Sequence, residues 1–189
     1  MLKSIIEKIS HEFITEAFNS PNLLEDMASM EKYMSESYSN RIFVKLLQNA
    51  DDCDSTKILL TERNNHIIFA NNGRCFNDND VIAISRTGTS FKKRDGTTIG
   101  YRGIGFKSTT YLTNEIIIYS DNVYFTFSKS ICSKTLNKNE DKIPTVRIPF
   151  LIENIEEEIS SYVDKLLAQG YSTIFIFKNA KCESFIEKF

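Results

Sequence analysis

Proline and glycine are scarce, at three and seven of 189 residues, which leaves little room for low-complexity linkers. Basic residues are not in excess either: 23 Lys and Arg stand against 25 Asp and Glu. A dedicated nucleic-acid module neutralises phosphates with surplus cations, so direct sequence-specific nucleic-acid binding is not expected and any phosphate site must be local. The four cysteines, Cys53, Cys75, Cys132 and Cys182, form no CxxC pair. That spacing argues against zinc and against a disulfide framework, and a reducing, cytoplasmic setting is the expectation. No run of about 18 uncharged apolar residues occurs, so no membrane span is expected. The opening MLKSIIEKISHEF breaks its apolar residues with charges every few positions and does not read as a signal peptide. Histidine is limited to His11 and His66, neither with a Cys or Ser partner at a motif spacing, which leaves histidine-based catalysis without support. No internal repeat is visible.

What is plentiful is apolar surface: 41% of the chain is hydrophobic, with 14 Phe and 8 Tyr, enough at this length for one sizeable core. Leu2, Ile5, Ile6, Ile9 and Phe13 recur at helical spacing, and Ser20-Pro21-Asn22 ends that helix. A second, less regular helix is expected from about 23 to 37. Residues 1–37 therefore read as an N-terminal helical arm, ahead of a domain spanning 38–189. A third helix is expected from Asn40, as N-cap, to Asp52, because Ile42, Phe43, Leu46, Leu47 and Ala50 share one face. STKILLTE and HIIFAN, split by Arg63-Asn64-Asn65, read as a hairpin. Residues 72–102 hold four of the seven glycines and one apolar patch, Val81, Ile82 and Ile84, and read as a long, partly ordered loop. Beyond it a helix is expected over Ile104 to Leu112, then strands EIIIYS and VYFTFSK, a polar loop over 131–143 and a strand over Thr145 to Phe150. Ile155 to Leu167 reads as an amphipathic helix closed by Gly170, and STIFIF as a buried strand. The charged helical pattern after it stops abruptly at Phe189, as in a chain cut from a longer one or in one with a very short native tail.

Three patches carry the chemistry. LLQNADD, residues 46–52, puts an Asn one turn from a helix end, where its side-chain oxygen can face a metal ion in a cleft. A polar residue on a helix is, taken alone, most often simply solvated. IIFANNGRCF, residues 67–76, is a strand running into Asn-Gly, which alone signals only a turn. IGYRGIGFKS, residues 99–108, sets Gly100, Gly103 and Gly105 before a helix, where backbone amides and the helix N-terminus favour an anion and Lys107 would reinforce them. It is not a Walker loop, which needs Gly-Lys-Ser/Thr after four intervening residues.

Taken together, LLQNADD, ANNGRCF, ISRTGTS and IGYRGIGFKS resemble, in order and rough spacing, the four ATP-site elements of the GHKL superfamily. That fold is shared by gyrase, the ninety-kilodalton heat-shock chaperone and histidine kinases, and the variety this chain looks like is the sacsin N-terminal, histidine kinase-like ATPase domain. The resemblance covers about residues 38–178. It implies an α/β two-layer sandwich, with a mixed, mainly antiparallel sheet and helices on one face, and it implies ATP and Mg²⁺ as ligands. Asn49 resembles the Asn that coordinates Mg²⁺ on the phosphates, and Asp52 the acidic residue on the ribose side. Asn71 falls where relatives most often place an Asp that accepts from the adenine amino group, with Gly73 beneath the base. Residues 85–102 resemble a lid over the phosphates, and Gly103, Ile104, Gly105 and Phe106 the amides that hold them. Ser172 or Thr173 resembles a hydroxyl near the adenine, and the register between them stays open. Relatives dimerise through an N-terminal arm, which implies a homodimer through residues 1–37 and a C-terminal effector domain or partner protein. Bacterial relatives sit beside nuclease or helicase modules, which implies a place in genome defence by resemblance only.

Two departures matter. Hydrolysing members carry a general-base Glu four residues before the metal-binding Asn, and here that residue is Lys45. An ammonium cannot take a proton from water, and losing a positioned base costs about 10²–10⁴ in rate. Lys45 is either a phosphate partner or a solvated lysine at the pocket mouth, and Asp51 or a partner's carboxylate remains as a substitute base. At Asn71 an amide replaces a carboxylate, adding donors that a carboxylate lacks. The FKKRDG run, residues 91–96, reads most simply as a solvated part of the lid. The expectation is an Mg-ATP-binding conformational switch and at most a slow ATPase; the alternative is a degenerate scaffold for protein interaction without nucleotide.

Overall fold

Leu2, Ile6, Ile9, Phe13 and Ala17 recur every three or four residues, and in the computed structural model, which describes residues 1–86 and 104–181, they are the buried stripe of helix α1 (Leu2–Asn19). Pro21 opens α2 (Pro21–Tyr38) at a position where the missing N–H breaks no helical bond. The chain then passes through a 3₁₀ turn (Ser39–Arg41) straight into α3 (Ile42–Asp51). Helical backbone on both sides of Asn40 means that this residue starts nothing, and Arg41 rather than Asn40 holds the cap position of α3.

The expected hairpin pairs β1 (Ile58–Arg63) with β2 (His66–Asn71) through Asn64 and Asn65, whose φ values of 50° and 62° are those of a primed turn matching strand twist. Asp121 and Asn122 repeat the device, with φ of 50° and 58°, between β3 (Glu115–Ser120) and β4 (Val123–Ser128). With β5 (Phe150–Leu151) and β6 (Thr173–Phe177) the sheet runs β1-β2-β6-β3-β4-β5, and each of these pairings is antiparallel. Alternation along the strands separates two faces. Ile67, Phe69, Ile116, Ile118, Phe175 and Phe177 join α1 and α3 in the larger core. Their neighbours Ile68, Ala70, Ile117, Ile174 and Ile176 pack on Ile159, Val163 and Leu166 of the helix Glu157–Ala168, so that the α/β sandwich also carries one helix on its second face. Gly170, with φ of 87°, closes that helix as expected.

Residues 1–37, expected as an arm, are built into this core: Leu2, Ile6, Phe13 and Leu24 belong to the same cluster as Ile42, Leu46 and Phe69. Three further expectations are corrected. Within 72–102 the structure forms helix α4 (Asp78–Ser85), set by a capping box in which Asn77 accepts from the Asn79 and Asp80 N–H groups while Asp80 accepts from the N–H of Asn77. The polar stretch 131–143 contains most of α6 (Lys129–Leu136), capped by the Ser128 hydroxyl and closed by Asn137 at φ 51°. Of the strand expected over 145–150 only its end joins the sheet, because the Thr145 and Val146 N–H groups donate to the Glu31 carboxylate at 2.5 and 2.9 Å. Numbered in chain order, the helix at Ile104–Lys107 is α5, followed by a 3₁₀ turn over Ser108–Tyr111, and the helix under the second face is α7. No helix among the described residues is long and apolar enough to cross a membrane.

Candidate functional site

The amphipathic pattern of α3 buries Ile42, Leu46 and Ala50 and leaves Lys45, Gln48 and Asn49 half-buried at its border. Lys45 and Asn49 are four apart, hence one above the other on the same side of the helix. Lys45 Nζ donates to Gln48 Oε1 at 2.9 Å. Among the described residues none forms a hydrogen bond with the Asn49 carboxamide. Asp52 follows the helix as its C-cap residue.

Two glycines bring distant segments onto α3. A Cβ placed on Gly105 would lie 3.2 Å from Cδ of Lys45 and 3.4 Å from its Cβ, so the backbone of α5 rests against the Lys45 stem, one turn from Asn49. A Cβ on Gly73 would fall 2.5 Å from the Cys53 carbonyl oxygen, and the Arg74 N–H donates to that same oxygen at 2.9 Å. The turn leaving β2 is thereby pressed against the end of α3, next to Asp52. Because the obstacle at Gly73 is backbone, no side chain can yield. Gly73→Ala is expected to cost about 1–3 kcal/mol in urea denaturation, with an unchanged denaturant slope; an alanine as stable as the parent would show that the close approach does not exist in solution.

Asn71 is buried, and its Oδ1 accepts from the Gly73 N–H at 3.0 Å. Its backbone carbonyl accepts from the Ser172 N–H at 2.9 Å, and the Ser172 hydroxyl donates to the Gly73 carbonyl at 2.5 Å. Ser172 thus clamps the turn, whereas Thr173 is the partner opposite Asn71 in the sheet and is in turn opposite Ser120 on β3. Thr173 and Ser120 share a hydrogen bond of 2.9 Å, and Ser120 Oγ accepts from the Phe76 N–H. Asn71, Thr173 and Ser120 therefore form a polar row across three strands, two residues from Phe69, Phe175 and Ile118 and on the same face as them, which is the face covered by α3.

Sequence reasoning missed Ser120, which ends the run EIIIYS without any motif. It also missed Asn72, whose Oδ1 accepts from the Thr56 and Lys57 N–H groups at 2.9 and 2.8 Å and fixes the α3–β1 connection. The signal for Asn72 was its place in Asn-Asn-Gly, since a short amide side chain readily satisfies nearby backbone groups.

Gly100, Gly103 and residues 87–102 of the segment that resembles a lid lie outside the described residues. Ile104 and Gly105 open α5, and the Phe106 ring turns into the core against Phe175, with centroids 5.6 Å apart, so that its side chain is turned away from the bend. Lys107 is a correction. Rather than facing an anion, it is buried with Nζ donating to the Val146 carbonyl at 2.5 Å. Burial pushes its pKa down to about 8, against the opposing pull of the Glu31 carboxylate and with a smaller push from Arg147. Helical geometry sends Lys107 away from the bend, and the buried backbone carbonyl that receives it belongs to the segment already held by Glu31.

No group of three or more His, Cys, Asp or Glu side chains suited to a metal exists among the described residues. A divalent cation here needs oxygens from a bound phosphate chain and water in addition to one carboxamide, which is how Mg²⁺ is commonly held.

No family model matches the chain. It is similar to human Sacsin, at 30% identity over 138 residues, which cover 63% of this chain and 3% of that protein. It is similar to Protein NO VEIN of Arabidopsis thaliana, at 30% identity over 155 residues, 77% of this chain and 5% of that protein. The chain thus spans a small fraction of either relative's length. Among solved structures it is similar to the ATPase and transducer domains of DNA topoisomerase II from Balamuthia mandrillaris, at 19% identity over 74% of this chain and 36% of that one, with a TM-score of 0.44. The ATPase region of Saccharomyces cerevisiae topoisomerase II follows at 15% identity, 77% and 39% coverage and a TM-score of 0.43.

Proposed function

We propose, from the premise that this chain has the GHKL-type ATPase fold, that it binds a magnesium nucleoside triphosphate between α3, the Asn71–Gly73 turn and α5. The observation that carries the reading is the double contact on α3: Gly105 against Lys45 at one level and Gly73 against Cys53 at the other, with Asn49 between them in sequence. Asn49 would hold the metal through its carboxamide oxygen, Asp52 would line the ribose side, and the amides at Gly105 and Phe106 would meet phosphate oxygens. Thr173 and Ser120 would form the polar floor beside Asn71. The bound Mg²⁺ would neutralise phosphate charge and bridge its oxygens.

Lys45 occupies the place of the general base, and its ammonium is bonded to Gln48, so hydrolysis is at most slow. Binding rather than turnover is then the useful event, and the domain acts as a nucleotide-dependent switch. A physical route exists from the bend to the helices ahead of it: α5 ends in Lys107, which holds Val146, whose N–H is held by Glu31 of α2. A second copy of the chain meeting residues 1–37, or a C-terminal effector domain, would receive that signal.

The test is a thermal-shift series with ATP, ADP and GTP, each with and without Mg²⁺. A nucleotide at 100 times its dissociation constant adds about 2.7 kcal/mol, a rise of roughly 5–10 °C for a chain of this size. Asn49→Ala should abolish the Mg²⁺-dependent part of the rise and leave the unliganded melting temperature nearly unchanged. Absence of any shift with every nucleotide would favour the scaffold reading.

A further inference from the structure

In an antiparallel ladder, residues that bond the neighbouring strand alternate with residues whose N–H and C=O groups face away from it. The Asn72 N–H donates to the Lys57 carbonyl, and the ladder runs without a bulge from Ile58 opposite Asn71 to Arg63 opposite His66. Leu59, Thr61 and Arg63 therefore bond β2, while Ile58, Leu60 and Glu62 turn their backbone groups outward. Among the described residues no strand lies beyond β1 to receive them. The edge is apolar as well: Ile58 and Leu60 are 44% and 36% exposed. Sheets commonly blunt such an edge with a proline, a bulge or a lysine reaching across it. β1 has no proline and no bulge, and its cations fold back onto their own chain. Lys57 Nζ donates to the Gln169 carbonyl at 2.9 Å and lies over the Tyr171 ring, and Arg63 lies over the Tyr162 ring beside Glu158.

We propose that this edge pairs with β1 of a second copy of the chain, antiparallel about a two-fold axis at Leu59, so that two sheets join into one. The proposal does not rest on the nucleotide-binding reading and does not involve residues 1–37. Outward groups must meet outward groups, so Ile58, Leu60 and Glu62 can face only one another across the axis. Two registers keep most of the strand paired. One sets Leu60 opposite the partner's Leu60, but it also opposes Ile58 to a carboxylate, the partner's Glu62, and Lys57 to a second cation, the partner's Arg63. Like charges directly opposite each other destabilise a sheet. The other register sets Ile58 opposite the partner's Leu60, Leu59 opposite the partner's Leu59 and Lys57 opposite the partner's neutral Thr61. Charge and apolar match select the second, and the two-fold axis repeats each favourable pair. The paired edge is about 20 Å long. It buries less than the about 1,200 Å² at which stable interfaces begin, so the association is reversible.

The experiment is sedimentation velocity of the whole chain over a concentration series, with residue-resolved amide exchange at the same concentrations. Dimer is expected to grow with concentration, and exchange of the Ile58, Leu60 and Glu62 amides to slow with it, while the Leu59 and Thr61 amides, already bonded to β2, stay unchanged. Ile58→Lys should weaken the association about tenfold, because it sets a cation into two apolar pairs at once. Leu59→Cys should give a disulfide-linked dimer under mild oxidation that the parent does not, since residues opposite each other in a non-hydrogen-bonded pair have Cα atoms about 4.5 Å apart. A chain that stays monomeric to about 1 mM, the weak end of measurable association, would overturn the proposal. Outward amides that exchange slowly in the dilute monomer would overturn it too, by showing that another segment of the same chain covers the edge. A dimer that Ile58→Lys leaves intact, or that Leu59→Cys leaves unlinked, would place the contact elsewhere and overturn it as well.

Discussion

Glu31→Ala is expected to destabilise the chain by about 3–5 kcal/mol, the range for removing one member of a buried, hydrogen-bonded charge pair. Glu31 lies on α2 and is only 4% exposed, although glutamate is among the residues least often buried. Its carboxylate accepts from the Thr145 and Val146 N–H groups and lies near the Lys107 ammonium. Truncation leaves two backbone donors without their acceptor and a buried cation without its neighbouring countercharge. At roughly 2–4 °C per kcal/mol for a chain of this length, the melting temperature should fall by about 6–20 °C. Glu31→Gln, which keeps one acceptor oxygen, should lose less. Urea melts at pH 7 check this, and a loss below about 1 kcal/mol for the alanine would mean that 145–147 is held by something else.

Lys107 predicts a pH dependence of unusual sign. Its pKa is lowered from 10.5 to about 8 in the folded chain, chiefly by burial. Below about pH 8 both folded and unfolded states carry the proton, and the cost of burying the charge is fully present. Between about 8 and 10.5 the unfolded chain binds more protons than the folded one, so stability contributed by this group rises with pH. The full rise is about 3 kcal/mol at some 1.4 kcal/mol per pKa unit. Other groups oppose it: burial pushes the Cys132 thiol up to about 12 and raises Tyr119 and Tyr124, which favours the unfolded state at high pH. Subtracting the profile of Lys107→Met from that of the parent between pH 7.5 and 10.5 cancels those groups. Parallel profiles would show that Lys107 is not buried as a cation.

Where the fold was legible in the sequence, the cause was a local period. Ile42, Leu46 and Ala50 mark α3 by spacing alone, and HIIFAN and STIFIF mark β2 and β6 by their β-branched and aromatic residues. Asn64-Asn65 and Gly170 mark turn and helix end through the backbone angles that they tolerate. The helices α4 and α6 were not legible because eight residues hold too few apolar positions to show a period, and both are set by caps instead. The irregular path at 145–149 depends on Glu31, which lies 114 residues away from Thr145 and which no window of sequence connects to it. In the site, the order of the motifs marked the segments that meet on α3, since glycine is needed where backbones nearly touch. Lys107 was misplaced for the opposite reason: a cation after a glycine bend looks the same whether its partner is a phosphate or the Val146 carbonyl. Ser120 carried no mark at all, being one serine after a run of isoleucines.

Arg147 stacks on the Phe13 ring of α1 at 3.6 Å, pairs with Glu16 at 2.7 Å and donates to the Ser85 carbonyl at the end of α4. Arg86, the next residue, reaches Glu12 of the same helix at 3.0 Å. Helix α1 is thus a keystone: lifting it away would strand a nearly dry guanidinium and uncover the underside of the core in one step. A polypeptide started at residue 38 would contain every motif that identifies the fold and lack the wedge that holds it shut.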